Sequence, residues 1–367
     1  MSKGHILVTG GCGYIGSHTI VDLLENGYQV TCLDSLVNAQ EKVVAAIRQT
    51  VLALTHAGER PEQPTTTQKA GLEPSVFADR FNFVKLDLAE RAPTLAFFQQ
   101  QRFTGVIHFA ALKLVGESVL RPLDYFRNNL NSLLNVIEGQ AASGGSNLVF
   151  SSSCSVYGNA EVLPVTEQSP RQEAQSPYAR SKQMGEDIIF DYCKSYPDFG
   201  AMVLRYFNPA GAHNRGFLGE DPRNPPSNLV PVITEVAAGK RPDLVVFGSD
   251  YPTRDGSALR DYIHVMDLAR AHTLALEKLL AGKIEKNPEV VNLGIGKGLT
   301  VLEVINAFEE VTGRPLHFRL GPRRPGDVAA IYADNQRAFD LLGWQPQRGV
   351  ADIMASAWAW EQKRSSG

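Results

Sequence analysis

Thr9-Gly10-Gly11-Cys12-Gly13-Tyr14-Ile15-Gly16 decides the reading of this chain. It follows the strand-like run Ile6–Thr9 and opens Ile15–Asn26, whose apolar residues have helical spacing. Glycine answers three needs here: a tight turn, close approach of a pyrophosphate to the backbone, and close helix–strand packing. The helix start adds unpaired N–H groups and the positive end of its dipole. Any glycine-rich turn can imitate such a loop, so its surroundings matter. A second strand-like run, Gln29–Leu33, leads into Asp34, about 18 residues after Gly16 and close to the ~20 expected for a carboxylate gripping an adenosine ribose. That charge repels a 2′-phosphate, and no Arg or Lys follows until Lys42. NAD is therefore expected rather than NADP. The plainer alternative for Asp34 is a carboxylate that caps a turn. Asp87, at the end of a third run, divides evenly between an adenine contact and a helix cap.

Working outward, strand candidates at Phe81–Leu86, Thr104–Phe109, Asn147–Ser151 and Met202–Tyr206 alternate with helical patterns at Thr94–Gln101, Leu123–Ala142 and Tyr178–Tyr196. Alternation of this kind predicts an α/β fold, a Rossmann-type doubly wound parallel sheet. The run Thr104–Phe109 is apolar on both faces, as a central strand should be. From Asn208 to Ser257 Pro and Gly become dense, with helix only near Val230–Ala238; helical patterns return at Val265–Leu280, Val301–Val311, Gln336–Leu342 and Ala351–Trp360. The expected division is an NAD-binding domain over 1–206 plus about 258–283, and a smaller mixed α/β substrate-binding domain over 207–257 plus about 284–367. Residues 49–78, with Pro61, Pro64 and three consecutive threonines, read as a surface insertion.

Composition bounds the function. The 367 residues allow two packed domains, the apolar fraction of 43% is that of a globular protein, and a net charge of −3 argues against nucleic-acid or membrane partners. Strand begins almost at once, leaving no space for a signal sequence, so a cytoplasmic location is expected. The four cysteines are widely spaced and the eight histidines form no ligand-spaced cluster, so neither a disulfide framework nor a metal site is expected.

Tyr178-Ala-Arg-Ser-Lys182 sets a phenol and an ammonium four apart, one turn along one helix face. A free tyrosine titrates near pH ~10. An ammonium, and the positive charge of an oxidised nicotinamide, would both favour the tyrosinate, letting it take a proton from a sugar hydroxyl. Such a pair arises by chance in a chain with 11 tyrosines. Ser151-Ser152-Ser153 supplies the partner, because carboxyl ends of parallel strands are where ligands bind in this architecture. Ser153 can hydrogen-bond the reacting oxygen. A serine run of this kind is otherwise a turn.

These features, in this order, resemble the extended short-chain dehydrogenase/reductase family. The finer motifs are His108-Phe-Ala-Ala-Leu-Lys113-Leu-Val-Gly-Glu-Ser118, Phe150-Ser-Ser-Ser-Cys-Ser-Val-Tyr-Gly158, Ser176-Pro-Tyr-Ala-Arg-Ser-Lys182 and Arg205-Tyr-Phe-Asn-Pro-Ala-Gly-Ala-His213, then Gly219-Glu-Asp-Pro222, Arg260-Asp-Tyr-Ile-His-Val-Met-Asp-Leu268 and Arg323-Arg-Pro-Gly-Asp327. They are similar to the branch that inverts carbon 4 of UDP-hexoses, over nearly the whole chain apart from the insertion. The resemblance implies interconversion of UDP-glucose and UDP-galactose with NAD retained: hydride leaves the sugar, a transient 4-ketose turns over, and hydride returns to its other face. It implies Tyr178 as base, Lys182 as the group that lowers its pKa and holds the nicotinamide ribose, and Ser153 on the sugar oxygen.

For the cofactor the resemblance implies Gly10, Gly13, Tyr14, Ile15, Gly16, Asp34, Ser35, Asn38, Asp87, Leu88, Phe109, Ala110, Ala111, Lys113, Asn128 and Tyr206, with Tyr178 and Lys182. Ser35 stands where the family usually has asparagine. For the substrate it implies Lys113, Phe207, Asn208, Asn228, Leu229, Val246, Phe247, Arg260, Arg324 and Asp327. Arg260 and Arg324 suit a diphosphate, since guanidinium forks match its oxygens; Phe247 suits a uracil face and Asp327 hydroxyl groups. Taken singly, each arginine reads as a surface charge. Ile331 occupies the position that governs access of N-acetylated sugars. The resemblance further implies a homodimer formed through Leu123–Ala142 and Tyr178–Tyr196. Two alternatives stand beside this one. A sugar-nucleotide dehydratase or decarboxylase would carry carboxylates where this chain has Cys154 and Ser155. A non-catalytic NAD-binding protein would tend to lose the tyrosine or lysine.

Overall fold

The computed structural model describes residues 2–56, 79–324 and 327–366. Among them the central element is a seven-stranded sheet. Its strands are β1 (His5–Thr9), β2 (Gln29–Asp34), β3 (Phe81–Lys85), β4 (Gly105–His108), β5 (Asn147–Ser153), β6 (Gly200–Tyr206) and, at the edge, β11 (Glu289–Leu293). They lie in the order β11-β6-β5-β4-β1-β2-β3, every pairing parallel. The chain runs outward from β1 through β2 to β3, then crosses back to β4 on the other side of β1. That reversal makes the β1–β4 boundary the switch point where this architecture binds ligands.

Helices cover both faces. On one side α1 (Tyr14–Glu25), α2 (Lys42–His56) and α8 (Val265–Leu280) pack Ile20, Leu24, Ile47, Val51, Leu268 and Leu276 into one core. On the other, α3 (Arg91–Gln100), α5 (Pro122–Ala142) and α6 (Pro177–Ser195) contribute Phe97, Phe98, Leu133, Val136 and Ile189. Every residue of β4 is buried, as a strand covered on both faces requires. The short helix α4 (Val115–Leu120) precedes α5.

A further core gathers Val230 and Ile233 of α7 (Leu229–Ala237), Val304 and Phe308 of α9 (Val301–Thr312), and Ile353 and Met354 of α11 (Val350–Ser366). Helix α9 starts with a reciprocal capping box between Thr300 and Glu303 and ends at Gly313 in the left-handed conformation, φ 66°. Small strands surround this core: β8 (Leu244–Phe247) with β13 (Phe318–Gly321), β7 (Asn208–Ala210) with β10 (Tyr262–His264), and β9 (Leu259–Arg260) between β12 (Leu299–Thr300) and β14 (Ala330–Ile331).

Three features depart from the expected division. Residues 289–293, placed with the substrate domain, are the edge strand of the Rossmann sheet, in register with β6 from Glu289 opposite Met202 to Leu293 opposite Tyr206. Helix α10 (Gln336–Leu342) buries Ala338 and Leu342 in the same core as α1 and α8. The surface insertion does not begin at 49: residues 49–56 finish α2, where Thr50 and Val51 are buried. Its remainder, 57–78, lies outside the described residues. No helix among the described residues is long and apolar enough to cross a membrane. All four cysteines are free, and no cluster of metal-ligating side chains occurs among the described residues.

Candidate active site

The glycine loop is built as its sequence requires. Gly10 has φ 65°, and a Cβ on it would lie 2.7 Å from the Ala110 amide nitrogen. A Cβ on Gly16 would lie 2.5 Å from the Gly10 carbonyl oxygen. Gly13 starts α1 with no side-chain cap and no acid in the first turn. The helix therefore presents its leading N–H groups and dipole to an anion, which fits the pyrophosphate of NAD. Beside it, the buried Asp34 carboxylate accepts from Cys12 N at 3.0 Å and Leu36 N at 2.8 Å. Burial raises its pKa, and these two bonds oppose that. Asp34 thus caps the turn, and each oxygen keeps a lone pair for a ribose hydroxyl.

The remaining residues expected at the cofactor lie at the start of α1, at or after the carboxyl ends of β2, β3, β4 and β6, and on α5. Tyr14 donates to the Gly211 carbonyl at 2.6 Å, tying the loop to the second region, and Ile15 packs against the adjacent core. Ser35 is half-buried and Asn38 exposed. Asp87 is exposed and accepts from Ala89 N at 2.9 Å; it closes its own turn, while Glu90 stands at the start of α3. Leu88 is turned into the core. Phe109 lies 4.6 Å from the His272 ring, and Ala110 and Ala111 follow it, half-buried. Asn128 donates to Asn129 at 3.0 Å, and exposed Lys113 pairs with Glu220 at 3.6 Å.

Ser153 ends β5, directly opposite Tyr206 at the end of β6. Helix α6 starts beside them, capped by Ser176, whose hydroxyl accepts from Ala179 N at 3.1 Å, with Pro177 in its first turn. This start places Tyr178 within hydrogen-bonding reach of Ser153. One turn on, the buried Lys182 ammonium donates to the Ser151 carbonyl at 2.6 Å and lies 4.9 Å from the centre of the Phe150 ring. Burial lowers Lys182 to about 8. Burial also raises Tyr178 well above the usual phenol range; Tyr206 adds to this, and the Ser153 bond opposes it. Burial is thus the first cause at Tyr178, and the depression expected from Lys182 does not set its pKa. Tyr206, hydrogen-bonded to the Ser151 hydroxyl, is pushed up to about 12 by burial.

The substrate candidates divide. Arg260 lies 3.7 Å from Asp327 and donates to the Leu259 carbonyl at 2.8 Å. Arg324 covers the Phe247 ring at 4.3 Å, so one face expected to meet a base is occupied by a guanidinium. The neighbouring Arg323 is bound to Asp250 at 2.8 Å and stacks on Tyr251. Asn228 donates to Glu220 at 2.9 Å beside Leu229, the first residue of α7. Asn208 N donates to the Asp261 carbonyl at 2.9 Å, and Phe207 is buried with Ile331 and Tyr157. Val246 corrects the sequence reading: it is 0% exposed within the core of the second region and offers a ligand no surface. Sequence reading missed a buried ionic group under β5, Glu186 with Arg205. The spacing of Glu186 from Lys182 was the available signal.

The profile of the NAD dependent epimerase/dehydratase family matches residues 6–294. A UDP-glucose 4-epimerase of Drosophila melanogaster is 41% identical over 367 residues, covering 100% of this chain and 99% of the relative. The chain belongs to the NAD-dependent epimerase/dehydratase family. Solved members of this family share the whole fold. A UDP-glucose 4-epimerase from Stenotrophomonas maltophila, with bound NAD and formylated UDP-arabinopyranose, has TM-score 0.88 and 40% identity, with 99% of each chain covered. One from Bifidobacterium longum, in complex with NAD+ and UDP, has TM-score 0.87 and 38% identity, again with 99% of each covered.

Proposed function

We propose that the protein is a UDP-hexose 4-epimerase interconverting UDP-glucose and UDP-galactose, with NAD as its cofactor. The observation that carries this reading is the meeting of Ser153, Tyr178 and Lys182 at the carboxyl ends of β5 and β6, beside the glycine loop. When bound, NAD would supply the hydride acceptor and donor for sugar carbon 4. Tyr178 Oη takes the proton of the 4-hydroxyl and gives it back, while Ser153 Oγ orients that oxygen. Lys182 keeps a positive charge under the phenol. The Gly10–Gly16 loop and Asp34 hold the dinucleotide; Arg260 and Arg324 suit the substrate diphosphate. Cys154 and Ser155 give no carboxylate for an elimination, which supports redox without loss of water.

The same reading includes a homodimer. Leu134 on α5 and Met184 and Phe190 on α6 are exposed on neighbouring helices, which supports a helix bundle between two copies. The test of function is proton NMR of UDP-galactose incubated with the purified protein and no added NAD. UDP-glucose should accumulate to an equilibrium mixture at unchanged mass. Unaltered substrate, or a product lighter by water or carbon dioxide, would refute the reading.

A further inference from the structure

Three consecutive serines end β5, and each is engaged by a different residue of α6. Ser153 lies within reach of Tyr178 and opposes the upward shift of its phenol. The Ser151 carbonyl accepts from Lys182 at 2.6 Å. The Ser152 hydroxyl donates to Glu186 Oε1 at 2.5 Å. Tyr178, Lys182 and Glu186 follow one another at steps of four, so the helix stacks them along one face. The first two belong to the reaction proposed above. The third is 0% exposed and has no part in it so far.

A buried carboxylate persists only when it is paired. Arg205 of β6 grips both Glu186 oxygens, at 2.9 and 2.6 Å. Arg171 approaches one of them at 3.5 Å and also binds the exposed Asp187 and the Gln183 carbonyl. Arg205 also donates to the Tyr157 hydroxyl at 3.1 Å. These bonds explain why Glu186 is tolerated. They leave unexplained its place one turn beyond Lys182, drawn by Ser152 against the same strand end.

We propose that Glu186 is a positioning residue for the epimerisation, fixing α6 to β5 and keeping the Lys182 ammonium charged beneath Tyr178. This rests on the roles of Tyr178 and Lys182 given above. Burial pulls Lys182 down to about 8, and Glu186 opposes it. The other groups around Lys182 bring it no negative charge. His108 of β4 is held neutral, lowered to about 3 by burial and by Lys182 itself. Phe150 offers a ring face, and burial raises the phenols of Tyr178 and Tyr206 above their usual range. The positive groups near Glu186, Arg205 and Arg171, are themselves paired with it.

The test is the pH profile of kcat for UDP-galactose epimerisation. In Glu186→Gln the alkaline limb, where Lys182 loses its proton, should move toward lower pH by on the order of one unit. Glu186→Asp, which keeps the charge, should restore it. Because Glu186→Gln leaves Arg205 buried without a counter-ion, Glu186→Gln/Arg205→Met serves as the folding-tolerant variant and should show a displacement in the same direction, smaller because a positive charge is removed with the negative one. A uniform loss of kcat with the limb unmoved in the folded variants would assign Glu186 a structural role only and overturn the proposal. A wild-type protein that does not epimerise UDP-galactose would instead overturn the functional reading, which separates the two failures.

Discussion

At the scale of single residues, the proposed chemistry depends on one phenol. Tyr178→Phe keeps the ring and its packing and removes the proton-transferring oxygen. Its kcat should fall by about 10²–10⁴-fold, with NAD content and thermal stability nearly unchanged. Stopped assays on protein of verified fold would check this, and a variant of wild-type activity would contradict it. Gly10→Ala tests the loop. A methyl there sits 2.7 Å from the Ala110 amide nitrogen at φ 65°, so the purified variant should carry much less NAD in its absorbance spectrum; wild-type NAD content would contradict that reading of the loop. The glycines, Asp34 and the Tyr178–Lys182 pair were legible in sequence, because each answers a local geometric need. The balance of charge was not. Spacing suggested a lysine that depresses the phenol, whereas burial of Tyr178 is the first cause of its shift and raises it. Burial depends on what packs around a residue, and a four-residue spacing carries none of that.

At the scale of elements, two helices carry separable predictions. Gly139 of α5 faces α3, where an added Cβ would lie 2.3 Å from the buried Phe98 ring. Overpacking of this kind costs about 1–3 kcal/mol, more than the ~1 kcal/mol that alanine gains as a helix former. Gly139→Ala should therefore lower Tm in a thermal melt; an unchanged or higher Tm would show that α3 yields. Leu134, 46% exposed on α5, tests the dimer. Leu134→Glu should elute as a monomer in size exclusion while the wild type elutes as a dimer, and a wild-type monomer would remove that part of the reading. The alternation of strands and helices was readable through Tyr206, apart from α2, whose end was read as the start of the insertion, because period and length agree elsewhere there. The edge strand Glu289–Leu293 was not, because its five residues follow a long stretch of different texture. Its place is fixed by pairing with β6, a contact far away in sequence.

At the scale of the whole molecule, burial of histidine makes stability depend on pH. His18, His213 and His272 are lowered to about 4, and His108 and His264 to about 3, from 6.5, burial being the first cause in each. The unfolded chain then binds more protons than the folded one between about 6.5 and about 4. Their contribution is present above pH 6.5 and is lost as pH falls through that window. Asp261, raised from 3.8 to about 6 by burial, and Asp34 and Glu167, which burial also raises, act in the opposite sense, but as three groups against six once the lowered His5 is included. The urea midpoint should be lower at pH 5 than at pH 7.5; a midpoint equal or higher at pH 5 would mean that these histidines are solvated. This tertiary property was invisible in sequence, where the histidines read only as a set without metal spacing.

The central claim is direct return of hydrogen to carbon 4 of the same sugar. The measurement that reaches it is NMR of the product made from UDP-galactose deuterated at carbon 4, in ordinary water and without added NAD. The account predicts UDP-glucose that keeps its deuterium at carbon 4. UDP-glucose carrying solvent hydrogen at that carbon would contradict it.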